Sequence, residues 1–120
     1  MIVFHGTMDC CVSSILKEGP HLHTRLYLHS IRKAFSTTLD FSVAALFAMR
    51  NTQADLAIKG IITGQVIEFQ LIGKKNKDYI RIQNPRCIQN EKEIAVFQTA
   101  KLKPVAIWSW IDHQWVRAKL

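Results

Sequence analysis

The sequence predicts an α+β fold, and two observations carry that expectation. Helical spacing of apolar residues is confined to the first half of the chain, where it alternates with short strand-like runs. From Gly64 onward only strand-like runs follow. Helices gathered early and strands late argue against a doubly wound parallel sheet, in which the two types alternate throughout. The second observation is GQVIEFQL (64–71), which holds period two without a break: Ile67, Phe69 and Leu71 face one way, Val66, Glu68 and Gln70 the other.

Taken in order, Ile2 to Phe4 reads as a short buried strand that runs into His5-Gly6-Thr7. Asp9 is a candidate cap for a helix over CVSSILKEG (11–19), where Val12, Ile15 and Leu16 recur at helical spacing and Gly19-Pro20 stops it. PHLHTRLYLHSIRK (20–33) has no clean period and reads as a loop with at most one helical turn. KAFSTT (33–38) reads as a strand. Asp40 is placed to cap FSVAALFAMR (41–50), whose alanines and large apolar residues suit a buried helix. A looser stretch follows. YIRI (79–82) is expected to pair beside GQVIEFQL; EIAVFQ (93–98) and KPVAIWSWI (103–111) are further strands, and HQWV (113–116) is the last, after a tight turn at Asp112. No repeat, linker or low-complexity segment divides the chain, so a single domain over 1–120 is expected.

Composition narrows the function classes. Apolar residues make up 48% of 120 residues, enough for a modest core. No stretch approaches the roughly 20 apolar residues of a membrane helix, and the first residues lack a signal peptide's pattern, so a cytoplasmic protein is expected. Cys10, Cys11 and Cys87 have neither the count nor the spacing of a disulfide framework or zinc ribbon. His21 and His23 lack a second ligand pair, and no metal site is assigned. The formal charge of +7, concentrated in GKKNKDYIRIQNPR (73–86) and in Lys101, Lys103, Arg117 and Lys119, attracts phosphates, whether of nucleic acid or of a nucleotide. The same charge also serves solubility.

The polar residues at strand ends are the informative ones. His5 and Gly6 end the first strand, Ser36, Thr37 and Thr38 end the second just before a helix, and Glu91 and Glu93 open a later strand. Singly these are a turn, a helix cap and solvated charge. Together, VFHGT followed by VSSILKEGP, AFSTTLDFSVAALFA, and NEKEIAVF resemble the first strand and helix, the aromatic-Ser-Thr-Ser strand with its Ala-rich helix, and the Glu-x-Glu strand of the ADP-ribosyltransferase fold. The resemblance covers most of the chain, and the second motif is its most specific part. The family divides into an Arg, Ser, Glu class and a His, Tyr, Glu class. His5 with Ser36 mixes the two, and Thr38 stands where the third hydroxyl residue is usually Ser.

The resemblance implies a split β-sheet core with two main helices in the N-terminal half. It also implies cleavage of NAD, the substrate, at the nicotinamide–ribose bond. A developing sugar cation needs a fixed carboxylate in a shielded site, and the resemblance gives that part to Glu93. Glu91, two residues earlier and on the same face of a regular strand, would then orient and activate an acceptor. His5 would donate a hydrogen bond to the ribose, with the Gly6 backbone near the nicotinamide amide and Thr7 beside it. Ser36 and Thr37 would support the ribose or Glu93. Arg25, with Arg32 behind it, is a candidate for the phosphates because guanidinium binds them bidentately. Tyr27, Phe35 or Phe41 could stack on the nicotinamide, although a core role suits Phe35 better.

The expected activity is transfer of ADP-ribose to a macromolecular acceptor: arginine on a protein first, nucleic acid second. An antitoxin or inhibitor protein is a further partner of such a compact toxin, effector or modifier. No membrane partner is expected. An NAD glycohydrolase of the same fold ends with water instead. An RNA 2′-phosphotransferase needs more basic site residues than can be placed. A non-enzymatic nucleic-acid-binding module would gain nothing from a shielded carboxylate facing phosphates.

Overall fold

The computed structural model describes residues 1–27, 30–50, 52–82 and 92–120, apart from the side chains of Tyr27 and Ser30. Along the chain run β1 (Ile2–Thr7), α1 (Asp9–Glu18), β2 (His23–Tyr27), β3 (Ser30–Thr38), α2 (Phe41–Arg50) and α3 (Ala54–Ile58). Then come β4 (Gln65–Ile72), β5 (Tyr79–Ile82), β6 (Glu93–Phe97), β7 (Lys101–Ile111) and β8 (Gln114–Lys119). The α+β class expected from the sequence is the one observed. An antiparallel sheet in the order β5-β6-β3-β1-β4-β7-β8, with β2 added to β3, carries three helices among the described residues.

The centre of the sheet is its weakest seam. β1 and β3 share one registered pair, Phe4 with Thr38. Ala34 is registered with His23 on one edge and with Phe97 on the other, so β2 lies along the same edge of β3 as β1 does. Between these contacts Phe35, Ser36 and Thr37 have no registered partner on that edge. Two half-sheets, β1-β4-β7-β8 and β3-β6-β5, thus meet at a narrow junction.

Each face of the sheet has its own apolar layer. Val3, Phe35, Ile67, Phe69, Leu71, Ile94 and Val96 pack with Val12 and Ile15 of α1. On the other face Val66 packs with Ala44, Ala45 and Ala48 of α2, beside Phe4, Phe41, Trp108 and Trp115. The alternation in GQVIEFQL is therefore realised as two buried faces. α2 lies close because two positions beneath it lack a side chain. A Cβ on Gly6 would stand 1.9 Å from the Ala44 carbonyl oxygen, and one on Gly64 would stand 2.0 Å from that of Ala48. Asp40 caps α2 as expected: its Oδ1 accepts from the Ser42 backbone N–H at 3.0 Å and from the Ser42 hydroxyl at 2.6 Å.

Four local expectations need correction. His23–Tyr27 and the residues from Ser30 on are not a loop: they are β2 and the first part of β3. This hairpin overhangs the core, with Leu26 70% and Ile31 76% exposed, so no buried face imprints a period on it. YIRI, as β5, pairs with β6 and not with β4, whose two edges are taken by β1 and β7. The stretch after Arg50 contains the short helix α3. Asp9 is not the cap of α1. Met8 holds that position, while Asp9 sits in the first turn and accepts from the Cys10 N–H at 2.8 Å, where its charge still favours the helix dipole. The final turn is as expected, with Asp112 and His113 both at positive φ between β7 and β8. Among the described residues no helix is long and apolar enough to cross a membrane.

Candidate functional site

At the junction between the half-sheets lies a cavity of about 160 Å³. Phe4, His5 and Gly6 of β1, Ser36, Thr37 and Thr38 of β3, Val43, Ala44 and Phe47 of α2, and Glu93 of β6 line it. An apolar space near 150 Å³ takes a single small ring such as benzene. The structure therefore places His5, Gly6, Ser36, Thr37 and Glu93 around one cavity. Thr7 pairs with Gln65 at the end of β1 and does not line the cavity. Glu91 lies outside the described residues, as do Cys87 and the side chain of Tyr27.

His5 spans the seam. Its Nδ1 stands 2.7 Å from the Ser36 carbonyl oxygen, and its ring lies against Phe35 with centroids 4.3 Å apart. A carbonyl only accepts, so Nδ1 carries the proton. Burial pushes the His5 pKa below the ordinary 6.5; the Ser36 carbonyl works the other way, and charge on His23 and His21 adds to the lowering. With its one proton on Nδ1, neutral His5 offers Nε2 as an acceptor.

Glu93 opens β6 and is mostly shielded, with its side chain 13% exposed. The preceding Lys92 adopts a left-handed backbone (φ 45°), and its carbonyl accepts from the Leu39 N–H at 3.2 Å. This turn fixes where the β6 chain enters the site. Arg25 of β2 closes over the carboxylate, its Nη1 donating at 2.5 Å and 3.3 Å to the two oxygens. Arg25 therefore reaches the site through Glu93, and a phosphate would have to compete with that carboxylate. Arg32 is also engaged: its guanidinium lies 3.4 Å over the Phe97 ring and donates to the Lys77 carbonyl at 3.3 Å.

The hydroxyls divide by role. Ser36 is exposed at the cavity. Thr37 is buried and donates to the Ile94 carbonyl at 2.8 Å, tying β3 to β6. Thr38 is buried and accepts from the Asp40 N–H at 3.1 Å, joining β3 to the start of α2. Of the three, Ser36 is the one suited to a ligand. Phe35 is 2% exposed and belongs to the core. Phe41 packs on Phe4, Trp108 and Trp115 and does not line the cavity. Sequence reasoning missed the apolar wall of Phe4, Val43 and Phe47. The signal was present in Val43 and Phe47, one helical turn apart and flanking the buried Ala44.

Comparison with family models, curated proteins and solved structures finds no match to this chain.

Proposed function

We propose that the protein is a mono-ADP-ribosyltransferase that cleaves NAD at the nicotinamide–ribose bond and passes ADP-ribose to a macromolecular acceptor, an arginine side chain before a nucleic-acid group. The observation that carries this is the meeting of His5, Ser36 and Glu93, from three strands, around one cavity sized for a single ring. Nicotinamide is such a ring. Phe4, Val43 and Phe47 give it an apolar wall, while Ser36 and the bare Nε2 of His5 serve the adjoining sugar hydroxyls. As the nicotinamide leaves, its bonding electrons go with it and C1′ becomes cationic. The shielded carboxylate of Glu93, held by Arg25, stabilises that charge. The split sheet fits this role, because an intact β1–β3 ladder would close the cavity.

The test is incubation of the full chain with labelled NAD and a cell lysate. Released nicotinamide and label on protein or nucleic acid are then measured separately. Label on macromolecules supports the transferase, and nicotinamide released with no label supports a glycohydrolase. Absence of both would overturn the proposal.

A further inference from the structure

We propose that the face of the β7–β8 ribbon next to α2 is a docking surface for single-stranded nucleic acid. This goes beyond the reaction proposed above and does not rest on it. Residues registered opposite each other on neighbouring strands point to the same side of a sheet. Val66 packs against α2 and is registered with Trp108. By period two Gln70 and Ile72 share the side of Val66, and they are registered with Lys103 and Lys101. β8 continues the pattern, with Trp115, Arg117 and Lys119 opposite Trp110, Trp108 and Ala106. Three lysines, one arginine and three tryptophans therefore share the α2 side of the sheet.

Lys101, Lys103 and Lys119 are exposed, and none of them makes an ion pair among the described residues. Arg117 is committed to Glu68 and cancels its charge. The basic stripe leads to Trp110 and Trp115, both partly exposed, with ring centroids 5.5 Å apart. Each of these rings borders its own open space. Trp115 lines a groove of about 570 Å³ against Phe41, Leu46 and Met49 of α2. Trp110 lines a space of about 270 Å³ with Lys59, Ile61 and His113. Both exceed the roughly 150 Å³ that takes a benzene ring, so each has room for a base. Of the carboxylates at this end, Asp40 is bonded to Ser42 and lies 4.0 Å from Lys92, and Asp112 shares the Trp110 space with Lys59 and His113. Charge and shape thus answer the two parts of a nucleotide: phosphates take the lysines, and bases stack on the indoles. A duplex keeps its bases stacked and offers the indoles only their edges, whereas the bases of a single strand can splay out. An acidic peptide would use the lysines and leave the rings idle.

Binding of labelled oligo(dT) to the full chain, without NAD, is followed by fluorescence anisotropy over a range of salt concentrations, with melting curves on every preparation. Oligo(dT) should bind, quench tryptophan fluorescence and bind more weakly as salt rises. Changing Lys101→Gln, Lys103→Gln and Lys119→Gln together should flatten the plot of log K against log salt by about 2, since each phosphate contact on a single strand contributes roughly 0.7. Trp110→Leu should weaken binding roughly tenfold and leave that slope alone, as expected for a lost base stack. Tryptophan quenching in the wild type reads the same stacking if Trp110→Leu does not fold. No binding, an unchanged slope in the triple lysine variant, or binding without quenching overturns the proposal. Equal or tighter binding of the matching duplex or of polyglutamate also overturns it, in favour of a duplex or an acidic protein face. None of these outcomes bears on NAD cleavage, which is measured separately.

Discussion

His5 shows how one side chain serves fold and site together. Its Nδ1–H closes a gap in the ladder by bonding the Ser36 carbonyl, which leaves Nε2 to a ligand. Because burial lowers its pKa, the unfolded chain binds this proton more readily than the folded one. The contribution of His5 to stability is therefore whole above about pH 6.5 and is lost as pH falls toward the lowered value. Urea midpoints of the wild type should drop more steeply below pH 6.5 than those of His5→Gln; parallel curves would remove the half-buried neutral imidazole. At neutral pH, His5→Ala should weaken NAD binding by roughly 1–3 kcal/mol in calorimetry, the worth of one or two hydrogen bonds. An unchanged affinity would leave His5 a purely structural residue. Gly6, read from the sequence as a backbone platform for the ligand, is explained by the helix on top of it. A Cβ there meets the Ala44 carbonyl.

At the scale of elements, α2 depends on that contact. Gly6→Ala forces α2 off β1, and overpacking of this kind costs about 1–3 kcal/mol; the thermal midpoint should fall by several degrees. A midpoint within error of the wild type would show that α2 sits less tightly. The outer strands of the same half-sheet are pinned by a different device. Glu68 of β4 accepts from Arg117 Nε at 3.1 Å, from Arg117 Nη2 at 2.9 Å and from Trp108 Nε1 at 3.0 Å, so one carboxylate joins β4, β7 and β8. Arg117 first, and then Trp108, hold its pKa below the usual value against the opposing effect of burial. That stabilisation is present above about pH 4.5 and fades as pH drops below it. Arg117→Met should lower the thermal midpoint at pH 7, and the two proteins should converge under acid. A gap that persists at low pH would mean that Arg117 acts through packing alone.

Across the whole molecule, elements with a buried face were legible and the junctions between them were not. α2 and β4 announce themselves because burial imposes helical spacing or period two on their residues. The β2–β3 hairpin did not, since Leu26 and Ile31 face solvent. The partner of β5 depends on which sheet edges stay open, which a linear pattern does not record. The polar site residues His5, Ser36 and Glu93 stood out as strand-end residues in a recognisable order. The apolar wall did not, because Val43 and Phe47 look like any core residues until the seam beside them is seen. Nor did the pairing of Arg25 with Glu93, which spans 68 residues of sequence. The central claim is that Glu93 stabilises a cation formed from NAD at this seam. The most direct test compares nicotinamide release by the wild type and by Glu93→Gln, with melting curves on the same preparations. Glu93→Gln should melt as the wild type does and release nicotinamide on the order of a hundredfold to a thousandfold more slowly. Equal release from a folded Glu93→Gln protein would contradict the claim.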